Sequence, residues 1–241
     1  VRWPERREMI QQAVASFAAQ DYPHRTLTIV NDGSPCRLSA AFTHILDGRI
    51  VQLATKTSVG EKRNRGVTAV PHAAYSASFD DDDFSLPHRL TENLNAMERA
   101  SACWLSASRK YIAIRKLDNI VGFELGRCYG AGMVSARVTS KFKWPDIDCF
   151  EDQKLFEVVR SDAVLGANVV EADDLAYVHR RHDDNVTAHL RKDMWQGVLP
   201  LQLAGPAAIA APETVRRILK SYDSVCFIED DPCNPAPSKC R

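Results

Sequence analysis

The 241-residue sequence has no excess of either charge: 31 Lys and Arg balance 31 Asp and Glu. A chain so balanced has no overall field to draw it onto nucleic acid or an anionic membrane. It also has no CxxC pair and no zinc-ligand spacing among its seven cysteines. Cys226, Cys233 and Cys240 are evenly spaced, but at an interval no metal signature uses. The thiols read as reduced, in a cytoplasmic protein. No signal peptide is visible. No long apolar run exists either: the most apolar stretch, "LPLQLAGPAAIAAP" at 199–212, is short and broken by prolines. It is not a bilayer span. Internal repeats and low-complexity linkers are missing too. These absences leave an ordinary globular composition and name no function.

What is present is an alternation. "PERREMIQQAVASFAAQ" reads as a helix with Ile10, Val14 and Phe17 on one face. "TLTIV" is a strand ended by the turn "NDGSP". "RLSAAFTHILDG" reads as a helix closed by Gly48, "RIVQLA" as a strand, and "GEKRNRGVTAV" as a basic helix. "AYSASF" is a strand, and "RLTENLNAM" a helix with Leu90, Leu94 and Met97 on one stripe. Such alternation predicts an α/β fold with a mainly parallel central sheet flanked by helices. After Ala102 come short strands ("CWLSA", "KYIAI", "NIVGF"), glycine-rich "GAGMVSA", the helix "EDQKLFEVVR", and strands "ANVVEA" and "AYVHRR". The tail holds a helix, "PETVRRILKSY", and an end expected to be loose. An α/β unit normally starts on a strand, yet this chain opens on a helix. The first strand is therefore expected to precede Val1.

One stretch stands out: "SFDDDDFSLP", with four adjacent carboxylates from Asp80 to Asp83. Like charges so close need water, basic partners or a metal ion. The flanking strand and helix place them at a strand's carboxyl end, where open α/β sheets bind ligands. Strand alternation would point Asp80 and Asp82 one way and Asp81 the other. A solvated acidic loop is the simpler reading of such a run.

"SFAAQDYPHRTLTIVNDGS" resembles the opening of family 2 glycosyltransferases, which have the GT-A fold. "GEKRNRGV", "FDDDDFSLPHRL", "WPDIDCFEDQKLF" and "YVHRRHDDNVT" resemble that family's later motifs, in the family's order, over roughly residues 10 to 190. The resemblance implies a GT-A domain at 1–198, with a nucleotide-binding half about 1–100 and an acceptor half about 101–198. Residues 199–241 are left as a C-terminal helix and tail.

It also implies roles. The activity would be metal-dependent, inverting transfer of a sugar, of hexosyltransferase type, from a nucleotide-sugar donor to a saccharide or other hydroxyl acceptor. Asp82 would be the direct ligand of Mn²⁺ or Mg²⁺, since hard cations take carboxylate oxygens. Asp80 would face the metal or ribose, with Asp81 beside it on the donor side. Asn31 or Asp32 would meet nucleobase or ribose; an Asp-Gly-Ser turn is also common for backbone reasons alone. Arg63 would reach base or phosphate, near a helix start that itself favours phosphate. Asp152 would be the general base, with Glu151 beside it binding the acceptor; both also suit a helix amino end. His182 would be a further metal ligand. Trp144 would stack on the acceptor sugar, or be core. "YGAGM", Tyr129 to Met133, would let the backbone approach the acceptor, or be a turn. The alternatives are a nucleotidyltransferase and a non-catalytic sugar- or nucleotide-binding domain of the same fold.

Overall fold

The computed structural model describes residues 1, 6–114, 120–181, 198–199, 213, 217 and 227–231. Helix α1 (Arg7–Ala18) leads to strand β1 (Thr26–Asn31), which pairs in parallel with β3 (Asp47–Gln52). The backbone of Val1 runs along β1's other edge, where its N–H group donates to Val30 O at 2.8 Å and its carbonyl accepts from Asp32 N at 3.2 Å. Between β1 and β3 lie β2 (Cys36–Leu38) and the short helix α2 (Ala40–Ile45), capped by the Ser39 hydroxyl. Gly48 does not close this helix. It lies within β3, where a Cβ would sit 2.5 Å from the Phe42 ring, so the strand can cross α2 only without a side chain there.

Helix α3 (Val59–Thr68) then leads to β4 (Tyr75–Ala77), β5 (Phe84–Ser85) and helix α4 (Arg89–Arg99). The expected short strands of the second half join into long ones. β6 (Trp104–Ile114) absorbs "CWLSA" and "KYIAI", and β7 (Ile120–Ser135) runs from "NIVGF" through the glycine-rich stretch. After α5 (Ala136–Thr139) and α6 (Glu151–Ser161) comes β8 (Val169–Arg181), which unites "ANVVEA" and "AYVHRR". β9 (Val198–Leu199) pairs with β7. The large sheet has the order β4-β7-β6-β8-β5. Parallel pairing holds for β1–β3 and β6–β8; the other pairings among the described residues are antiparallel.

Strand periodicity builds two cores from adjacent residues, because successive side chains leave a strand on opposite faces. Leu105 and Met133 pack with Ile10, Val14, Phe17, Leu90 and Met97 of α1 and α4. Their neighbours Trp104 and Val134 pack on the other side with Leu155, Phe156 and Val159 of α6. The cross-strand register is Trp104 to Val134 and Leu105 to Met133. The sheet thus carries the acidic turn beside α4 and the start of α6 near the same end.

The end of the chain is not loose at 227–231. β10 (Ile228–Asp230) pairs antiparallel with β2, and Phe227 and Ile228 are buried in the first core. Gln11 fixes this segment by accepting from Phe227 N at 2.9 Å and donating to Ile228 O at 2.6 Å. Most of the expected helix "PETVRRILKSY" lies outside the described residues. No described helix is long and apolar enough to cross a membrane.

Candidate active site

Asp32 follows the last residue of β1, and its side chain is buried. Oδ2 accepts from Thr57 N at 3.0 Å and Lys62 Nζ at 2.9 Å. Oδ1 is buried with no partner among the described residues. Burial alone would raise this carboxyl; the Thr57 N–H and the Lys62 ammonium outweigh it and hold it below its ordinary value. An ionised carboxylate with one unanswered oxygen at a strand end is an acceptor awaiting a donor.

The four acids do not alternate, because β4 ends at Ala77 and they form a turn, closed by Asp83 N donating to Asp80 O at 3.3 Å. Each takes its own direction. Asp83 turns inward and accepts from Arg180 N at 2.7 Å and from the Tyr177 hydroxyl, with His179 Nδ1 at 3.3 Å. It anchors the turn to β8. Burial, then the Asp83 carboxylate, push the Tyr177 phenol up, so it keeps its proton and stays a donor. Asp81 and Asp82 turn together toward Arg6, whose Nη1 lies 2.9 Å from Asp81 Oδ1 and 3.2 Å from Asp82 Oδ2. Asp80 faces Arg63, with Nη2 3.2 Å from its Oδ1. Burial pushes the Asp80 carboxyl up to about 7; Arg63 opposes this, while Asp83, Asp82 and Glu151 add to it.

Gly130 on β7 marks where these groups meet. A Cβ on it would lie 3.1 Å from Asp152 Oδ2, 3.5 Å from Asp80 Oδ2 and 3.9 Å from Arg63 Nη2. Side chains from α6, the acidic turn and α3 therefore converge on one point beside this glycine. Arg63 ties them together, donating Nε to Glu151 Oε1 at 2.9 Å and Nη1 to the Ser78 hydroxyl. Burial raises the Glu151 carboxyl, Arg63 opposes, and Asp152 adds to the rise. Below this point lies Arg89 of α4. Its buried guanidinium donates to Ser78 O at 2.9 Å and Ala131 O at 2.6 Å, and packs 4.9 Å from the Phe79 ring centroid and 4.8 Å from that of Tyr177.

The structure brings Asp80, Arg63, Asp152 and Glu151 together, with Asp81 and Asp82 in the adjoining turn. The structure bears on three sequence expectations. Asn31 is occupied by its own turn: its amide donates to Ser34 O at 2.7 Å and Gln52 Oε1 at 2.8 Å, and accepts from Gly33 N at 3.1 Å. Asp32 Oδ1, by contrast, is buried without a partner among the described residues. Trp144 is a core residue, 7% exposed, with no face for a sugar ring. Glu151, 5% exposed, presents its carboxylate to Arg63 rather than to an acceptor. The start of α3 does not offer its N–H groups to phosphate either. Val59 N donates to Asp148 Oδ1, Gly60 N to Ile147 O, and Glu61 N to the Ser58 hydroxyl. His182 lies outside the described residues. Sequence reasoning gave no role to Arg6 or Arg89 and took Lys62 only as part of a basic helix. Their meaning depends on contacts across 75, 42 and 30 residues of chain.

Residues 5–122 match the family model of glycosyl transferase family 2. That stretch belongs to this family. A search of curated proteins by sequence finds no match. Among solved structures, this chain is similar to S. aureus TarS, with a TM-score of 0.55 and 13% identity over 91% of its length. It spans 42% of that TarS chain. It is also similar to TarS 1-349 in complex with UDP (TM-score 0.53, 12% identity, 95% of each chain). A third is TarS 1-349 in complex with UDP-GlcNAc (TM-score 0.53, 12% identity, 87% of this chain and 67% of that one). At such identities the likeness establishes the fold, which is GT-A.

The acidic turn has donors of the right kind for a hard divalent cation in Asp80 and Asp82. Among the described residues no three His, Cys, Asp or Glu side chains converge to enclose one. Magnesium-like sites often take only one or two protein carboxylates and fill the shell with phosphate oxygens and water. The Arg6 guanidinium at Asp81 and Asp82 already shows that this turn attracts positive charge. The residues therefore fit a cation shared with a diphosphate.

Proposed function

We propose that the domain transfers a hexosyl group from a nucleoside-diphosphate sugar to an acceptor hydroxyl, with inversion at the anomeric carbon. The observation that carries this reading is the meeting of Asp152 with Asp80 and Arg63 at Gly130. The TarS complexes with UDP and UDP-GlcNAc support the choice of donor class. Asp32 Oδ1 would accept an N–H of the base, with Lys62 holding the carboxylate ionised. Arg63 and the acidic turn would take the diphosphate end. Asp82 and Asp80 would hold Mn²⁺ or Mg²⁺, which supplies Lewis-acid stabilisation of the leaving diphosphate. Asp152 would accept the proton of the attacking hydroxyl from across the Gly130 opening. Asp80 shares that opening but is assigned to the cation; with Asp152 as the base, attack opposite the leaving group gives inversion. His182 remains a proposed further metal ligand.

The test is calorimetric titration of UDP- and GDP-sugars with Mn²⁺ or Mg²⁺ present. Wild type should bind one of them, Asp32→Ala should lose most of that affinity, and Asp82→Asn should lose its dependence on the cation. A wild type that binds no nucleotide sugar, or variants that bind as wild type does, would refute the reading.

A further inference from the structure

Phe150 precedes Glu151 and Asp152 and combines two uncommon features. Its backbone is left-handed, φ 63° and ψ 17°, a conformation bulky L residues rarely adopt. The residue is 49% exposed, although a strained position would be relieved by glycine. The exposure does not come from a loosely held loop. Asn64 clamps the loop's start with a reciprocal pair of amide bonds, to Trp144 O and from Trp144 N, both at 2.9 Å. Ser58 holds Asp146 at 2.5 Å. Gly60 packs so closely beneath the loop that a Cβ would meet Pro145 O at 1.8 Å. Phe150 O accepts the first bond of α6, from Lys154 N at 3.0 Å. The other aromatics of this segment are turned away: Trp144 is core and Phe142 packs against that core.

We propose that Phe150 is the platform on which the acceptor's sugar ring stacks, so that the acceptor is a saccharide. The inference rests on the proposed reading of Asp152 as the base. An exposed aromatic face fits the C–H face of a pyranose, and Phe150 stands two residues before Asp152 at the start of the same helix, so a sugar stacked on it would lie beside the base.

The experiment measures binding of methyl and p-nitrophenyl pyranosides by saturation-transfer NMR to the UDP-bound protein, for wild type, Phe150→Tyr and Phe150→Gly. Phe150→Tyr should bind as wild type does. Phe150→Gly should bind about tenfold more weakly, with unchanged UDP affinity and a melting temperature no lower than wild type. Equal glycoside binding by Phe150→Gly overturns the proposal, as does a wild type that binds UDP but no pyranoside. A wild type that binds neither overturns both this proposal and the reading it rests on.

Discussion

Asp80→Asn should make the protein more stable while stopping its function. In the folded chain the Asp80 carboxyl is pushed from its ordinary 3.8 up to about 7, by burial and by Asp83, Asp82 and Glu151 against the pull of Arg63. At face value that is about 4 kcal/mol of strain in the ionised form. The side chain keeps 35% of its surface open, and solvent screening reduces the figure to roughly 1–2 kcal/mol. The sign follows from linkage. The folded value lies above the unfolded one, so folded Asp80 holds its proton longer, and its contribution to stability falls as pH rises from about 4 through 7. Asparagine cannot ionise and escapes that fall, while its Oδ1 can still accept from Arg63. Thermal melts at pH 4 and pH 8 read the difference. The variant should lie close to wild type at pH 4 and about 2–5 °C above it at pH 8. A gap that does not change with pH, or a variant less stable at pH 8, would refute the argument. UDP-sugar affinity should fall in the same variant.

Three further outcomes are expected. Asp152→Asn should cut turnover about 10²–10⁴-fold at saturating donor and leave donor affinity nearly unchanged; lost donor binding would instead place this residue in the nucleotide site. Gly130→Ala, which puts a methyl 3.1 Å from Asp152 Oδ2, should abolish turnover with little change in melting temperature, checked by both measurements on one preparation. Arg6→Gln should tighten Mn²⁺ binding to the apo protein, read as loss of the free-ion EPR signal, because the guanidinium no longer occupies Asp81 and Asp82.

Local pattern carried much of the fold into view. The stripes Ile10–Val14–Phe17 and Leu90–Leu94–Met97 announce α1 and α4 because a helix with one apolar face can bury only that face. Where β6, β7 and β8 were expected as pieces, polar and glycine residues interrupt each strand's pattern without ending it. Register shifts in the pairing of β6 absorb the interruptions. Residue order also marked Arg63, Asp80 and Asp152, which the structure brings together at Gly130. It could not sort Asp80 from Asp83, since neighbours in a turn take directions set by partners far along the chain. Nor could it separate Trp144 from Phe150: both are aromatics near the acid pair, and only packing decides which one is buried.

Arg89 fixes the acidic turn and the glycine strand to each other, because one guanidinium bonds the carbonyls of Ser78 and Ala131 and is gripped by Phe79 and Tyr177. The floor of the site therefore exists before any substrate arrives. Neither half can swing open by itself without breaking buried bonds to the other. Little conformational entropy remains to be lost there when a donor binds, so binding free energy is not consumed in assembling the floor. Loops at the rim can vary with the substrate while this rigid base stays the same.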